Sequence, residues 1–171
     1  MATKLEKKGY GQLELNQVSF RRSGRIEAQC KIADGIEYIE NGMLLAVNNI
    51  NRTVGYAKDN AGHPVALHYS SEHMYDNRAN ALKDFKLEAD SFLPRMGYLS
   101  AGDKYTTNTV EFEGYDTEDA FMAALGTAPL YAHAGDDGYH LVNATATNAI
   151  AMAVAATTMP DGQRAVKFVA L

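Results

Sequence analysis

The chain is poor in the residues that mark several common protein classes. Its 171 residues include one cysteine, Cys30, and no tryptophan, so no disulfide can form within the chain. No apolar run approaches the roughly 18 residues that a membrane-spanning helix needs. The first twelve residues also lack the apolar segment of a signal peptide. We therefore expect a protein that is made in the cytoplasm and has no membrane partner.

Positive charge is also scarce, because 16 basic residues face 21 acidic ones and the formal net charge is −5. A broad basic field for nucleic-acid binding is thus missing, and no direct nucleic-acid binding is expected. We predict that residues 1–12 form a flexible, extended basic arm. Such an arm suits docking on an acidic partner surface, and the alternative is a solvated terminus without a partner. The basic residues that collect near the N-terminus include Lys4, Lys7, Lys8, Arg21 and Arg22.

Motifs for phosphate, nucleophile and calcium chemistry are missing too. The sequence has no Gly-x-x-x-x-Gly-Lys-Ser/Thr loop, no Gly-x-Gly-x-x-Gly loop and no Gly-x-Ser-x-Gly elbow. Asp136 and Asp137 lie in a Gly-Asp-Asp-Gly turn and do not follow the calcium-loop pattern. We therefore predict a non-enzymatic protein without a cofactor.

The densest set of reactive side chains is the segment His68-Tyr-Ser-Ser-Glu-His-Met-Tyr75. A zinc protease motif places two histidines four residues apart on a helix, with glutamate beside the first. Here the histidines are five apart and Glu72 precedes the second, His73. A metal-dependent enzyme built around His68, Glu72 and His73 therefore stays an alternative. The favoured interpretation is that His68 belongs to a strand and the following residues form a polar contact loop.

Short apolar segments separated by Gly, Asn and Asp turns fill residues 13–69 and predict β-strands. Residues 25–32 alternate cleanly and indicate one strand with Cys30 on its buried face. Met43–Val47 is apolar throughout and indicates a buried strand. No long helical patterns separate these segments, so we predict a mainly β fold: a short-stranded antiparallel β-barrel or sandwich.

The C-terminal half contains the one convincing helix, over about residues 116–125, with Asp116 as its N-cap and Gly126 at its end. The turn sequences 135–138 and 160–162 then predict hairpins. The alanine-rich residues 146–156 fit either a helix or a strand, and the hairpin turn that follows favours a strand. We predict that residues 13–171 form a single β-rich domain.

Six segments resemble small virion structural proteins of tailed phages that infect Gram-positive bacteria, described as capsid-associated, head-decoration or head-fibre-like. The resemblance covers about residues 24–112 and the final strand, whereas residues 113–157 match less well and are assigned to a variable sub-region. The segments are Gly24–Cys30, Glu40–Val47, Pro64–Tyr75, Phe92–Leu99, Gly102–Asn108 and Thr158–Val169.

The resemblance implies a capsid-stabilising role at the virion surface, with the major capsid protein as partner and a homo-oligomer as the expected assembly. A self-assembling tail-tube or head–tail connector subunit is the alternative within the virion. The resemblance does not specify the contact residues. We assign them to the basic N-terminal region and the polar loop: Lys4, Lys7, Lys8, Arg21, Arg22, His73, Met74, Tyr75 and Arg78.

Overall fold

The chain folds into three β-sheets and two short helices, seen in a computed structural model that describes residues 1–70 and 82–171. The mainly β prediction is confirmed. The helices are α1 (Phe20–Ser23) and α2 (Glu118–Ala124), and a 3-10 helix spans Ala57–Asn60. The strands are β1 (Thr3–Lys4), β2 (Leu13–Gln17), β3 (Ile26–Glu27), β4 (Lys31–Ile32), β5 (Tyr38–Glu40), β6 (Leu44–Asn48), β7 (Thr53–Gly55), β8 (Val65–His68), β9 (Lys86–Glu88), β10 (Met96–Gly97), β11 (Lys104–Thr107), β12 (Val110–Phe112), β13 (Leu130–Ala134), β14 (His140–Asn143), β15 (Ala151–Thr158) and β16 (Arg164–Ala170).

The sheets contain eight, six and two strands and form a sandwich-like arrangement. The orders are β1-β12-β14-β13-β15-β16-β11-β2, β3-β10-β8-β6-β7-β4 and β5-β9. Pairing between the described strands is antiparallel, as predicted, except for β12 with β14 and β4 with β7. Of the two architectures that the sequence left open, the structure therefore has the sandwich.

Strand β6 lies between two apolar layers and explains why its sequence is apolar throughout. Successive side chains of a strand point to opposite faces. Leu44 accordingly packs in the cluster under the eight-stranded sheet, while Leu45 and Val47 pack in a second cluster with Ile39 and Leu87 of the small sheet. The six-stranded sheet is thus the shared middle layer, and the buried strand predicted at Met43–Val47 is confirmed from Leu44 onward.

Strands from the two ends of the eight-stranded sheet meet at a buried polar corner. Strands β11 and β12 lie far apart in the strand order, yet only Asn108 and Thr109 separate them in the chain. Both residues are fully buried. Their neighbour Thr107 donates from Oγ1 to the carbonyl of Gln12 at 2.7 Å, and Thr109 Oγ1 donates to the carbonyl of Asn41 at 2.7 Å. The corner therefore binds the N-terminal segment and the β5–β6 turn to the same point.

The prediction of one strand over residues 25–32 is wrong. Strand β3 pairs with β10, whereas β4 pairs in parallel with β7 in another part of the sheet. Gln29 donates its backbone N–H to Glu27 Oε1 at 2.5 Å between them. Ile26 is 38% exposed, while Cys30 is buried as predicted. The alternating pattern was consistent with one strand, but the two halves have different tertiary partners.

The C-terminal half follows the sequence prediction closely. Helix α2 forms within the predicted range, but its N-cap is Thr117, whose Oγ1 accepts from Ala120 N, and not Asp116. Hairpins join β13 to β14 and β15 to β16, and the strand interpretation of the alanine-rich segment is confirmed over Ala151–Thr158. In the described part of the chain, helices long and apolar enough to cross a membrane are absent.

The N-terminal segment is extended, as predicted, but it is packed on the domain and is not a free arm. Strand β1 pairs with β12, and Leu5 is 2% exposed in the main core. The segment supplies an edge strand and a core side chain, so its packing contributes to the fold. Its backbone amides donate to the domain at Glu6 (to Glu118 Oε2), Lys8 (to Gln163 Oε1), Tyr10 (to the Lys83 carbonyl), Gly11 (to Glu40 Oε2) and Gln12 (to Asn108 Oδ1).

Removal of residues 1–8 is therefore expected to unfold the protein or lower its melting temperature by more than about 10 °C. The loss of buried Leu5 costs about 2–5 kcal/mol, and the loss of Lys7 leaves the buried carboxylate of Glu40 without its ion pair. Circular dichroism melting measures the effect. Removal of only Met1 and Ala2, which precede β1, is the control and leaves the melt unchanged. Equal melts for both truncations would contradict the packed segment.

The corner makes a second prediction about two glycines with the same backbone conformation. Gly35 and Gly42 have φ angles of 89° and 83°, so alanine at either position costs about 1–2 kcal/mol of backbone strain. A Cβ on Gly35 meets open space, whereas a Cβ on Gly42 overlaps Thr107 Oγ1. We expect Gly42→Ala to lower the free energy of unfolding by about 1–3 kcal/mol more than Gly35→Ala. Urea denaturation measures both variants, and equal losses would show that the corner tolerates a methyl group.

Candidate partner-binding surface

Two of the three lysines assigned to partner contact are engaged within the domain. Lys4 forms an ion pair with Asp137 and lies 4.2 Å from the ring centroid of Tyr139. The Lys7 side chain is 12% exposed and forms an ion pair with Glu40, and burial lowers the pKa of its ammonium. Lys8 is exposed. The three lysines thus have different environments. Lys4 and Lys7 hold the N-terminal segment in place, whereas Lys8 faces solvent.

The acceptor at the centre of these contacts is Glu40, which is 5% exposed at the end of β5. Its Oε2 accepts from Gly11 N at 2.6 Å as well as from Lys7, and Tyr139 OH donates to its Oε1 at 3.3 Å. Burial, followed by the charge of Glu40, raises the pKa of the Tyr139 phenol. A buried carboxylate needs such partners because desolvation is costly. No local pattern predicted this role, since Glu40 precedes an ordinary Asn-Gly turn.

His68 ends strand β8 and is fully buried, as the strand interpretation predicted. Its Nδ1 donates to the Glu40 carbonyl at 2.7 Å, because a carbonyl can only accept. Its Nε2 therefore accepts from Ser70 Oγ at 2.6 Å. Burial lowers the pKa of His68 to about 4. Both ring nitrogens are used in structural hydrogen bonds, and residues 1–70 and 82–171 contain no metal-binding group of three or more His, Cys, Asp or Glu.

A second buried histidine lies in the main core, where the sequence suggested only a strand residue. His140 Nδ1 donates to the Thr109 carbonyl at 3.2 Å, and Tyr105 OH donates to Nε2 at 3.0 Å. The imidazole also stacks on Phe168, with ring centroids 4.7 Å apart. Burial lowers the pKa of His140 to about 3. The pair with Tyr105 thus satisfies the polar atoms of two aromatic rings inside the core.

Arg21 and Arg22 lie exposed on α1, beside an open groove of about 950 Å³. The groove is lined by the end of β2, by the residues that follow it and by the turn before β11, and β2 is the last strand of the eight-stranded sheet. Its base is fixed by Asp103, whose Oδ1 accepts from Ser19 N at 2.8 Å and whose Oδ2 accepts from Ser100 N at 2.9 Å. The two arginines therefore lie next to β2, which pairs only with β11 among the described strands, a placement that the sequence did not predict.

An exposed apolar loop lies between β9 and β10. Phe92 is 80% exposed and Leu93 is 51% exposed, whereas Met96 of the same segment is fully buried. Arg95 connects the loop to the end of β8, since its N–H donates to Ser70 Oγ at 2.9 Å.

The remaining assigned residues lie outside the part of the chain that the structure describes. These are Glu72 of the metal-site alternative and the partner-contact residues His73, Met74, Tyr75 and Arg78. Their roles stay predictions.

The two buried histidines give the protein a defined pH dependence. Their folded-state pKa values, about 4 for His68 and about 3 for His140, lie below the value of about 6.5 for an unfolded histidine. Between about pH 4 and pH 6.5 the unfolded state binds more protons than the folded state, so the free energy of unfolding falls as the pH falls. We expect the free energy of unfolding to decrease between pH 6 and 5 by about 1 kcal/mol for each histidine.

Urea denaturation at several pH values measures this slope. His140→Phe keeps an aromatic ring beside Phe168 but removes the titrating group, so it is expected to reduce the slope by about half. An unchanged slope in this variant would show that His140 is protonated in the folded protein.

Comparison with known proteins returns no match: no family model, curated protein or solved structure is significantly similar to this chain.

Proposed function

We propose that the chain is a non-enzymatic virion structural protein that binds the capsid exterior and stabilises or decorates the head of a tailed phage. The observation that carries this proposal is the exposed pair Phe92 and Leu93. These residues begin one of the segments that resemble phage head proteins. Exposed large apolar side chains in a loop have no role in the core, and their burial against another protein is favourable.

The segment Phe92–Leu99 divides into two parts with different tasks. Met96 and Gly97 form β10 and pair with β3 and β8 in the middle sheet. Phe92 and Leu93 project from the same segment into solvent. Folding accounts for the apolar character of Met96, but it does not account for that of Phe92 and Leu93. A binding role is the better explanation for this exposed pair.

A capsid lattice suits a binder of this kind because it offers the same site many times. Each contact buries a small apolar area, and the stabilisation of the shell grows with the number of copies bound. The loop is anchored to the middle sheet through Arg95 N and Ser70 Oγ, so little conformational entropy is lost when Phe92 and Leu93 bind.

The competing metal-enzyme hypothesis depends on His68. Its Nδ1 donates to a backbone carbonyl and its Nε2 accepts from Ser70. Metal binding would require the loss of a buried hydrogen bond before a ligand became available. The structural role of His68 therefore favours the binding hypothesis.

Co-sedimentation tests the proposal, with capsids assembled from the major capsid protein encoded in the same gene cluster. The wild-type chain is expected to sediment with capsids at a saturating ratio. The double variant Phe92→Ser, Leu93→Ser is expected to bind at least about tenfold more weakly, because the apolar contact is lost. Ile50→Ser is the matched control, since Ile50 is 85% exposed on a different turn, and it is expected to bind like the wild type.

Two outcomes would contradict the proposal. Light scattering and negative-stain microscopy of the purified chain that showed rings or tubes would favour the tail-tube or connector alternative. A wild-type chain that stayed in the supernatant with intact capsids would exclude capsid decoration.

A further inference from the structure

The edge of β2 that no described strand covers and the adjoining arginines form a surface that the capsid-binding proposal does not use. We refer to it as the β2 groove, lined by Leu15–Ser19, Arg21–Ser23 and Ala101–Asp103. We propose that the β2 groove binds an extended acidic segment of a partner protein, which adds a strand to the eight-stranded sheet.

The strand edge is the first reason. Strand β2 pairs with β11 on one side and, among the described strands, has no neighbour on the other. It has five residues, whereas the other edge of this sheet, β1, has two. Both edges of the middle sheet, β3 and β4, also have two residues. Natural proteins keep unpaired edges short or covered, so the longest described edge is the one best suited to accept a strand.

The shape beside this edge is the second reason. The groove holds about 950 Å³ and lies beside the end of β2 and the turn before β11. Gln17 of β2 is exposed and supplies a polar side chain beside the groove, whereas Asn16 Oδ1 already accepts from Thr106 Oγ1 at 2.7 Å. A bound peptide backbone needs hydrogen-bond partners in addition to the strand itself. The groove therefore offers room and polar groups for an extended chain.

Charge is the third reason, and it specifies the partner. The chain carries a net charge of −5, but the sequence from Leu15 to Arg25 contains three arginines and no acidic residue. Arg22 is exposed at one end of the groove, and Lys104 is exposed on the neighbouring strand. The one carboxylate that lines the groove, Asp103, accepts hydrogen bonds from Ser19 and Ser100. Carboxylates of a partner would therefore meet guanidinium groups, which bind them in charge-assisted hydrogen bonds.

This inference does not depend on the capsid-binding proposal. Its test needs only the full chain and a synthetic peptide, without a capsid. The probe is a fluorescent peptide of about eight residues that alternates valine with glutamate, a length typical of one added strand. Fluorescence anisotropy at low salt measures its binding to the full chain. We expect saturable binding, and hydrogen exchange of the β2 amides is expected to slow at least about tenfold when the peptide is bound.

Two matched peptides separate strand addition from simple charge attraction. A peptide with lysine in place of glutamate keeps the strand preference and is expected not to bind. A peptide with every backbone amide methylated keeps the charge but cannot pair with a strand edge, and it is expected to bind at least about tenfold more weakly. Equal binding of the methylated peptide would overturn the inference, because the site would then recognise charge alone.

Substitutions locate the site on the chain. Arg22→Glu is expected to weaken binding of the glutamate peptide at least about tenfold and to improve binding of the lysine peptide. Lys31→Glu is the control, because Lys31 is an exposed cation on β4, in a different sheet, and it is expected to leave binding unchanged. Unchanged binding in Arg22→Glu would overturn the inference. So would a wild-type dimer, detected by sedimentation, that buries the β2 amides and excludes the peptide.

Discussion

The buried corner at residues 107–109 is the constraint on which the rest of the structure depends. Here strands from the two ends of the eight-stranded sheet meet, and two other segments of the chain approach so closely that only glycine fits at Gly11 and Gly42. Threonine hydroxyls at the corner donate to the carbonyls of Gln12 and Asn41. Those carbonyls are buried and would otherwise lose the hydrogen bonds that water gives them. The corner thus fixes the N-terminal segment, the β5–β6 turn and the two ends of the large sheet relative to one another.

Glu40 extends the same arrangement outward from the corner. Its carboxylate holds Gly11 and Lys7, and its carbonyl accepts from His68 at the end of β8. These three contacts of Glu40 therefore link the N-terminal segment to the middle sheet through groups that are largely buried. Buried polar groups of this kind contribute more to a unique arrangement than to net stability, because the cost of desolvation offsets most of the attraction. His68, one of the reactive side chains that first suggested chemistry, is thereby occupied in holding the fold together.

The described surface divides into two regions with different chemistry. Phe92 and Leu93 present apolar area on a loop that is anchored to the middle sheet, and this region supports the proposed contact with a capsid. The β2 groove lies at the end of β2, the last strand of the large sheet, and presents arginines beside a backbone edge that no described strand covers. An apolar anchor and a charged strand edge recognise different partners, because one depends on area removed from water and the other on charge and backbone hydrogen bonds.

Local signals in the sequence determined the fold class, the hairpins at 135–138 and 160–162, helix α2 and the burial of Cys30, because turn residues and side-chain alternation act over short distances. They also identified Arg21 and Arg22 as part of a basic N-terminal region, and both residues are exposed on α1. Tertiary structure alone decided that residues 25–32 divide between β3 and β4, that the N-terminal segment packs on the domain, and that Lys7 meets Glu40. These outcomes depend on pairs of residues far apart in the chain, and no local pattern reports which distant strand or carboxylate a segment will meet.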